Sequence, residues 1–340
     1  MINRNSGVPM YAQLADIIRT QIADGTIQPG DKLMSESEMT HKYGVARLTV
    51  REALSVLVSE GLLEKKHGKG TFCKSTSKGA SIDVLLDMTD YYFIPYYVHS
   101  ISKVLNKSGA EFIVGDTKNS WEEIERLLVK IVQKGSDGVI VQSSPEKHFD
   151  KKRIEQAFLQ LSEKNIPVIQ IDTDYQIIGQ SYVIMDEEKI GTLAAQHFLE
   201  NGHKKTAVIR LDNNRVSDMR MKNFRKMFDA VYEIEYNSDL TKNIRHAHEN
   251  GVTGIFCFSD YVAKACIDSI NPIGFSVPDD FSLISVDDTL IAKLYNLTSV
   301  THAKERIGEF AARAITEHLL PAEKIFVPRL AVRGSVKNLK

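Results

Sequence analysis

The stretch Val45-Ala46-Arg47-Leu48-Thr49-Val50-Arg51-Glu52-Ala53-Leu54 reads as the opening of a helix with one basic edge and one apolar edge. Val50, Ala53, Leu54, Leu57 and Val58 recur at helical spacing, which predicts a helix from about Ala46 to Glu60 with Gly61 closing it. Upstream, Ser35 followed three residues later by Glu38 is a capping-box signature for a short helix, which Gly44 breaks. Further upstream, Pro9 suits the first turn of a helix on which Tyr11, Leu14, Ile17, Ile18 and Ile22 recur at helical spacing, and which Gly25 and Pro29-Gly30 end. Downstream, Leu62 to Phe72 alternates around Gly68 and Gly70, as a β-hairpin does. Helix, helix, turn, helix and hairpin in this order is the plan of a winged helix-turn-helix domain, here spanning residues 1–73.

A helix that enters the major groove needs donors that reach base edges and phosphates. Arg47 and Arg51 are four apart and lie on one stripe, and Thr49 stands at the helix start within reach of a phosphate. The hairpin carries Lys65, Lys66, His67, Gly68, Lys69 and Gly70. Its glycines allow a tight turn and close backbone approach, and its Lys and His side chains suit phosphates or a minor groove. Any one of these residues also fits a solvated surface; together they point to DNA.

Residues 9–72 resemble the GntR family of winged-helix repressors. The resemblance rests on Leu33-Met34-Ser35-Glu36-Ser37-Glu38-Met39, on the Val45–Leu54 stretch, on Leu57-Val58-Ser59-Glu60-Gly61-Leu62-Leu63 and on Gly68-Lys69-Gly70-Thr71-Phe72. It implies contacts to operator DNA from Ser35, Ser37, Arg47, Thr49, Arg51, His67, Gly68 and Lys69. Ser37 departs from the pattern, standing where the family often has Arg or Asn.

Residues 74–80, Lys-Ser-Thr-Ser-Lys-Gly-Ala, are small and polar and read as a linker. Beyond them, from 81 to 340, the pattern changes. Strands are expected at Ile82–Met88, Glu111–Val114, Gly138–Val141, Val168–Ile171, Thr206–Ile209, Gly254–Phe258 and Leu283–Val286, with amphipathic helices between them. Short Val/Ile-rich strands in strict alternation with helices predict parallel sheets covered on both faces. About 260 residues exceed one such sheet, so two α/β lobes are expected. Ligands of open α/β sheets bind beyond the carboxyl ends of the strands.

Residues 81–335 are similar to the LacI/GalR sensor, which has the fold of periplasmic sugar-binding proteins. The similarity is carried by Asp137–Val141, Asn165–Asp172, the Gly191 to Ile209 segment with its Gly202-His203-Lys204-Lys205, Ser282–Asp288, Leu297–Val300 and Pro328–Ser335. The two halves together resemble the arabinose repressor type. The resemblance implies a small-molecule effector, expected to be a monosaccharide. Asp172, Asp260 and Asp287 stand at predicted strand ends, where carboxylates form charge-assisted hydrogen bonds to sugar hydroxyls. Arg220 in Arg220-Met221-Lys222-Asn223-Phe224 resembles the family's sugar-binding arginine, with Asn223 replacing Gly. Asp90-Tyr91-Tyr92-Phe93 falls in the first strand-to-helix loop, and Ser259 stands where the family commonly has Asn. Helix capping is the competing role for each acid, and lobe packing for the aromatics.

Composition narrows the function classes. Residues 1–78 carry a formal charge of +3 and the remainder −4, a mildly basic head on an acidic body. Cys73, Cys257 and Cys266 are too few and too scattered for a disulfide framework or a zinc site. No G-x-G-x-x-G, Walker loop, G-x-S-x-G or metal-spaced His cluster is present, so no enzyme, cofactor or metal is expected. No signal peptide or long apolar run argues for export or a membrane, so a cytoplasmic location is expected. One winged head touches few base pairs, so a homodimer on a pseudo-palindrome is expected. Activation instead of repression, and a phosphosugar or nucleobase effector, stay open at this point.

Overall fold

A computed structural model describes residues 2, 6–23, 25–60, 62–66, 68–73, 80–89, 92–172, 177, 179–237 and 239–340. The chain divides into two compact units, 1–79 and 80–340. The expected linker, 74–80, lies outside the described residues except for Ala80.

In the first unit, α1 (Met10–Ala23), α2 (Glu36–Tyr43) and α3 (Arg47–Ser59) enclose a core of Leu14, Ile18, Met39, Val50, Leu54 and Leu57. The capping box forms as expected. Glu38 N donates to Ser35 Oγ at 3.3 Å, and Ser35 N donates to Glu38 Oε2 at 2.7 Å. Gly44 ends α2 in the left-handed region, φ 65°, where a side chain would be strained. Two strands, β1 (Leu63–Lys66) and β2 (Gly70–Cys73), pair antiparallel as the wing. The other edge of β2 pairs with the chain before α2, through Leu33 N to Thr71 O and Cys73 N to Asp31 O. α3 ends on Glu60; the expected stop, Gly61, lies outside the described residues.

The second unit begins with β3 (Ser81–Leu86), α4 (Ile94–Ser108), β4 (Glu111–Asp116), α5 (Trp121–Lys134), β5 (Gly138–Gln142), α6 (Lys151–Glu163), β6 (Val168–Ile171) and β7 (Ser181–Met185). It continues with α7 (Glu187–Glu200), β8 (Thr206–Arg210), α8 (Arg215–Arg225), β9 (Val231–Glu235), α9 (Leu240–Glu249), β10 (Gly254–Cys257), α10 (Asp260–Ile270), β11 (Ser282–Asp287), α11 (Leu290–Leu294) and β12 (Thr298–Thr301). It closes with α12 (Lys304–Thr316), β13 (Glu323–Phe326) and β14 (Leu330–Ala331). One sheet has the order β13-β7-β6-β5-β3-β4 and the other β14-β12-β11-β10-β8-β9. All pairs are parallel except β12 with β14.

The two-lobe expectation therefore holds, and the lobes are interleaved. The chain crosses from the first lobe to the second after β7, returns after β12, and crosses again after β13. Strict alternation does not hold throughout: β7 pairs directly beside β6, with no described helix between them. The sequence pattern passed over β7, β9, β12, β13 and β14. In β9, Val-Tyr-Glu-Ile-Glu, only Ile234 is fully buried, because an edge strand needs little apolar surface. Among the described residues no helix is long and apolar enough to cross a membrane.

Candidate functional site

Three crossings of the chain bring the carboxyl ends of both sheets to one cleft in the second unit. The cleft has a volume of about 130 Å³. Of the residues expected at an effector site, Tyr92, Phe93, Asp172, Arg220 and Asp287 line it. Asp172 follows β6 and takes φ 50°; Asp287 ends β11 with φ 105°. Both acids thus hold backbone conformations disfavoured for a side-chain-bearing residue, as is common where a site dictates the chain's path.

The charges in the cleft are paired across elements far apart in sequence. Arg220, on α8, donates from Nε to Glu187 Oε2 at 2.6 Å and from Nη1 to the Phe258 carbonyl at 2.8 Å. Its guanidinium also lies over the Phe258 ring, 4.6 Å from the centroid. Burial works against that charge, but Glu187, Asp287 and Asp172 outweigh it and raise the guanidinium above its ordinary value. Asp172 Oδ1 lies 2.9 Å from His302 Nε2. Burial pushes the Asp172 carboxyl up, yet the His302 and Arg220 charges prevail and hold it below the usual range. An ionised Asp172 only accepts, so Nε2 carries the shared proton.

Asp287 behaves differently. Burial raises its carboxyl to about 6; Arg220 opposes the rise and Asp260 adds to it. The Tyr92 hydroxyl donates to Asp287 Oδ2 at 3.4 Å, and Lys304 Nζ donates to the Asp287 carbonyl at 2.5 Å. Tyr92 also stacks on Tyr261, with centroids 5.7 Å apart and planes at 16°. Phe93 packs edge-on against His302 at 5.1 Å.

Two expected effector contacts do not reach the cleft. Ser259 caps α10, accepting from Val262 N at 3.3 Å. Asp260 is completely buried and accepts from Ser285 Oγ at 2.6 Å, Thr289 N at 2.7 Å, Thr289 Oγ1 at 2.8 Å and Ser299 Oγ at 2.8 Å. Its oxygens are spent tying α10 to the ends of β11 and β12, so Asp260 is a structural acid here. Asp90 and Tyr91 lie outside the described residues.

The cleft also holds residues the sequence reading missed, among them Asp87, Gln142, Asn214, Phe258, Glu187 and His302. His302 directly follows β12, so the strand-end rule that located Asp172 and Asp287 extends to it. Glu187 carries no such signal, since an acid in the first turn of a helix is commonplace. Asp172, Glu187 and His302 present ligand atoms within 4.8 Å of one another, a spacing a cation could use. The buried guanidinium of Arg220 on Glu187 supplies positive charge there already.

In the first unit, Arg47 and Arg51 are exposed on one face of α3, and each donates from Nε to Glu36 Oε2 at 2.9 Å. Glu36 is held below its usual range, first by the hydrogen bond from Arg47. Ser37 is exposed on α2, Ser35 caps that helix, and Thr49 is half-buried in the first turn of α3. Gly68 and Lys69 form the exposed tip of the wing, where Lys69 N donates to Lys66 O at 2.9 Å and Gly68 has φ 70°. His67 lies outside the described residues.

Residues 10–73 match bacterial regulatory proteins of the gntR family. Residues 82–248 match periplasmic binding proteins and the sugar binding domain of the LacI family, and residues 195–336 match the periplasmic binding protein-like domain. The chain is 26% identical over 360 residues to the arabinose metabolism transcriptional repressor of Halalkalibacterium halodurans, covering 95% of each chain. It is 26% identical over 362 residues to the protein of the same description from Geobacillus stearothermophilus, covering 98% of this chain and 99% of that one. Among solved structures, a LacI family transcriptional regulator from Enterococcus faecium with bound ribose superposes with a TM-score of 0.65 at 22% identity, over 76% of this chain and 100% of that one. The lac repressor dimer bound to operator and an anti-inducer superposes with a TM-score of 0.65 at 16% identity, over 77% of this chain and 96% of that one.

Proposed function

We infer that this chain, which joins a GntR-type winged helix-turn-helix domain to a LacI-type periplasmic-binding-like domain, is a sugar-sensing DNA-binding transcriptional repressor and not an enzyme. Its effector is a neutral monosaccharide bound in the cleft between the two lobes. The observation that carries this reading is the charge balance of the cleft. Asp87, Asp172, Glu187 and Asp287 face it beside Arg220, and Arg220 is already engaged by Glu187 and the Phe258 carbonyl. A phosphate would meet uncompensated carboxylates, whereas hydroxyls donate to them in strong charge-assisted bonds. Tyr92, Phe93 and Phe258 supply the apolar faces that sugar C–H groups need. The arabinose repressors and the ribose complex among its relatives favour a pentose.

Arg47, Thr49 and Arg51 read the operator, with Ser37, Gly68 and Lys69 against its backbone. One such module buries too little DNA surface for tight operator binding, so the working form is a homodimer on a two-fold site, in the cytoplasm with the chromosome. The effector closes the lobes and favours a dimer whose heads no longer match the half-sites. The test begins with an operator selected by the full-length protein from random duplexes. Its release is then followed by fluorescence anisotropy with L-arabinose, D-ribose, D-xylose, pentose 5-phosphates and hypoxanthine. A neutral pentose should release the operator. Release by a phosphorylated sugar or a purine alone would overturn the effector class, and a protein that sediments as a monomer on its operator would overturn the assembly.

A further inference from the structure

At one side of the cleft, a loop of the first lobe grips the start of α8 in the second. Arg215 N donates to the Pro145 carbonyl at 2.9 Å, and Arg215 Nη2 to the Ser144 carbonyl at 3.4 Å. The Arg215 guanidinium lies over the Phe149 ring, 5.0 Å from its centroid. Lys147 N donates to Asn213 Oδ1 at 3.3 Å, and Lys147 Nζ pairs with Asp218 Oδ2 at 2.7 Å. Five contacts thus join residues 144–149 to residues 213–218.

Each half of this grip is anchored in its own lobe. Phe149 stacks on Trp121 with centroids 4.7 Å apart, Trp121 N donates to Glu146 Oε2 at 2.9 Å, and Ser144 Oγ donates to the Asn119 carbonyl at 2.7 Å. Trp121 belongs to the buried core of its lobe. On the other side, Asn214 caps α8 by accepting from Ser217 N at 2.8 Å, and Leu211 N donates to Ser217 Oγ at 3.2 Å. Asn214, Val216 and Arg220 line the cleft from the same segment, while Arg215 and Asp218 face the grip.

We propose that Arg215, Lys147 and Asp218 form a latch that holds the lobes closed and thereby sets the affinity of the chain for its effector. These are positioning residues: none lines the cleft, and they act by fixing α8, which carries Arg220, against the first lobe. A ligand whose binding-competent state is only partly populated loses apparent affinity by that fraction. Weakening the latch therefore weakens the effector without touching its contacts. The latch rests on the cleft being the effector site, but its existence can be tested without an effector.

The test is a charge swap in the full-length protein. Lys147→Asp and Asp218→Lys each place like charges together, and the double variant restores an ion pair in reverse. The pair is partly exposed, so each single change should raise the L-arabinose and D-ribose concentrations for half-release of the operator by about three- to ten-fold. The double variant should return to within about two-fold of the starting protein. The effector-free arm is hydrogen exchange of peptides spanning 144–149 and 212–218. Exchange should quicken in both single variants and slow again in the double. Unchanged exchange in the single variants, or no recovery in the double, overturns the latch. Exchange that follows the swap while neither pentose releases the operator leaves the latch standing and overturns the pentose reading.

Discussion

Glu187 Oε2 accepts from Arg220 Nε at 2.6 Å, with 9% and 5% of the two side chains exposed. Glu187 begins α7, immediately after the chain leaves the first lobe, and Arg220 lies on α8. His302 stands 3.9 Å from the second oxygen of Glu187 and begins the return crossing. The charge network of the cleft is therefore built on the strands of chain that connect the lobes.

Removing one partner of a buried pair leaves the other uncompensated, which typically costs about 3–5 kcal/mol. Glu187→Ala should lose stability of that order in urea unfolding, and Glu187→Gln, which keeps an acceptor for Nε, distinctly less. Equal losses in the two variants would mean that the carboxylate charge alone matters and that the acceptor kept by Gln contributes nothing.

Asp287 has a raised folded-state value of about 6 against an ordinary 3.8. A raised group adds stability in full below its unfolded value, and that contribution disappears as pH rises through the folded value. The ionised side chain is therefore a liability of roughly 3 kcal/mol above pH 7. Asp287→Asn should gain stability over the unmodified protein as pH rises from 4 to 7.5. A difference that stays constant over that range would contradict the shift. Asp287→Ala should still bind operator but fail to respond to the pentose in the release assay.

Arg47 and Lys69 should separate by salt and sequence dependence. Arg47→Ala should cost ~1–3 kcal/mol on the selected operator and little on random DNA. Lys69→Ala should weaken both and lower the slope of affinity against salt by about one. Anisotropy titrations at several salt concentrations read both effects. Unchanged operator affinity for Arg47→Ala removes it from the reading face.

Asp260→Ala should act on the fold and not on the effector. It strands the donors Ser285 Oγ, Ser299 Oγ, Thr289 N and Thr289 Oγ1, for a loss of at least about 3 kcal/mol in unfolding. The folded fraction should keep its pentose affinity by calorimetry. Loss of that affinity at full stability would return Asp260 to the effector site.

Gly191 sets how closely α7 and α8 approach. A Cβ there would run into the Arg220 carbonyl oxygen and lie 2.9 Å from Phe224 N. Both are backbone atoms, so α8 must move. Gly191→Ala should lower both the melting temperature and the pentose affinity, whereas Ala at exposed Gly274, with φ 84°, should touch stability alone.

The DNA-reading head was legible residue by residue. A capping box, a left-handed glycine and an apolar stripe are local signals, and Ser35, Gly44 and Val50 each did what the spacing predicted. The order of strands and helices was largely legible as well, except for β7, the edge strand β9, whose apolar content is low, and the short strands β12, β13 and β14. In the sensor, the sequence by itself determined that acids and aromatics gather at strand ends, because the carboxyl end of a parallel strand is fixed by alternation alone. Only the tertiary structure decided which of them face the cleft. Asp287 and Asp260 both stand at strand ends, yet Asp260 turns inward, because the hydroxyls of Ser285, Thr289 and Ser299 converge on it. The partners Glu187 for Arg220 and His302 for Asp172 lie 33 and 130 positions away along the chain. No local pattern encodes such pairings; the interleaved crossings of the two lobes bring the charges together, and burial then makes each pair obligatory.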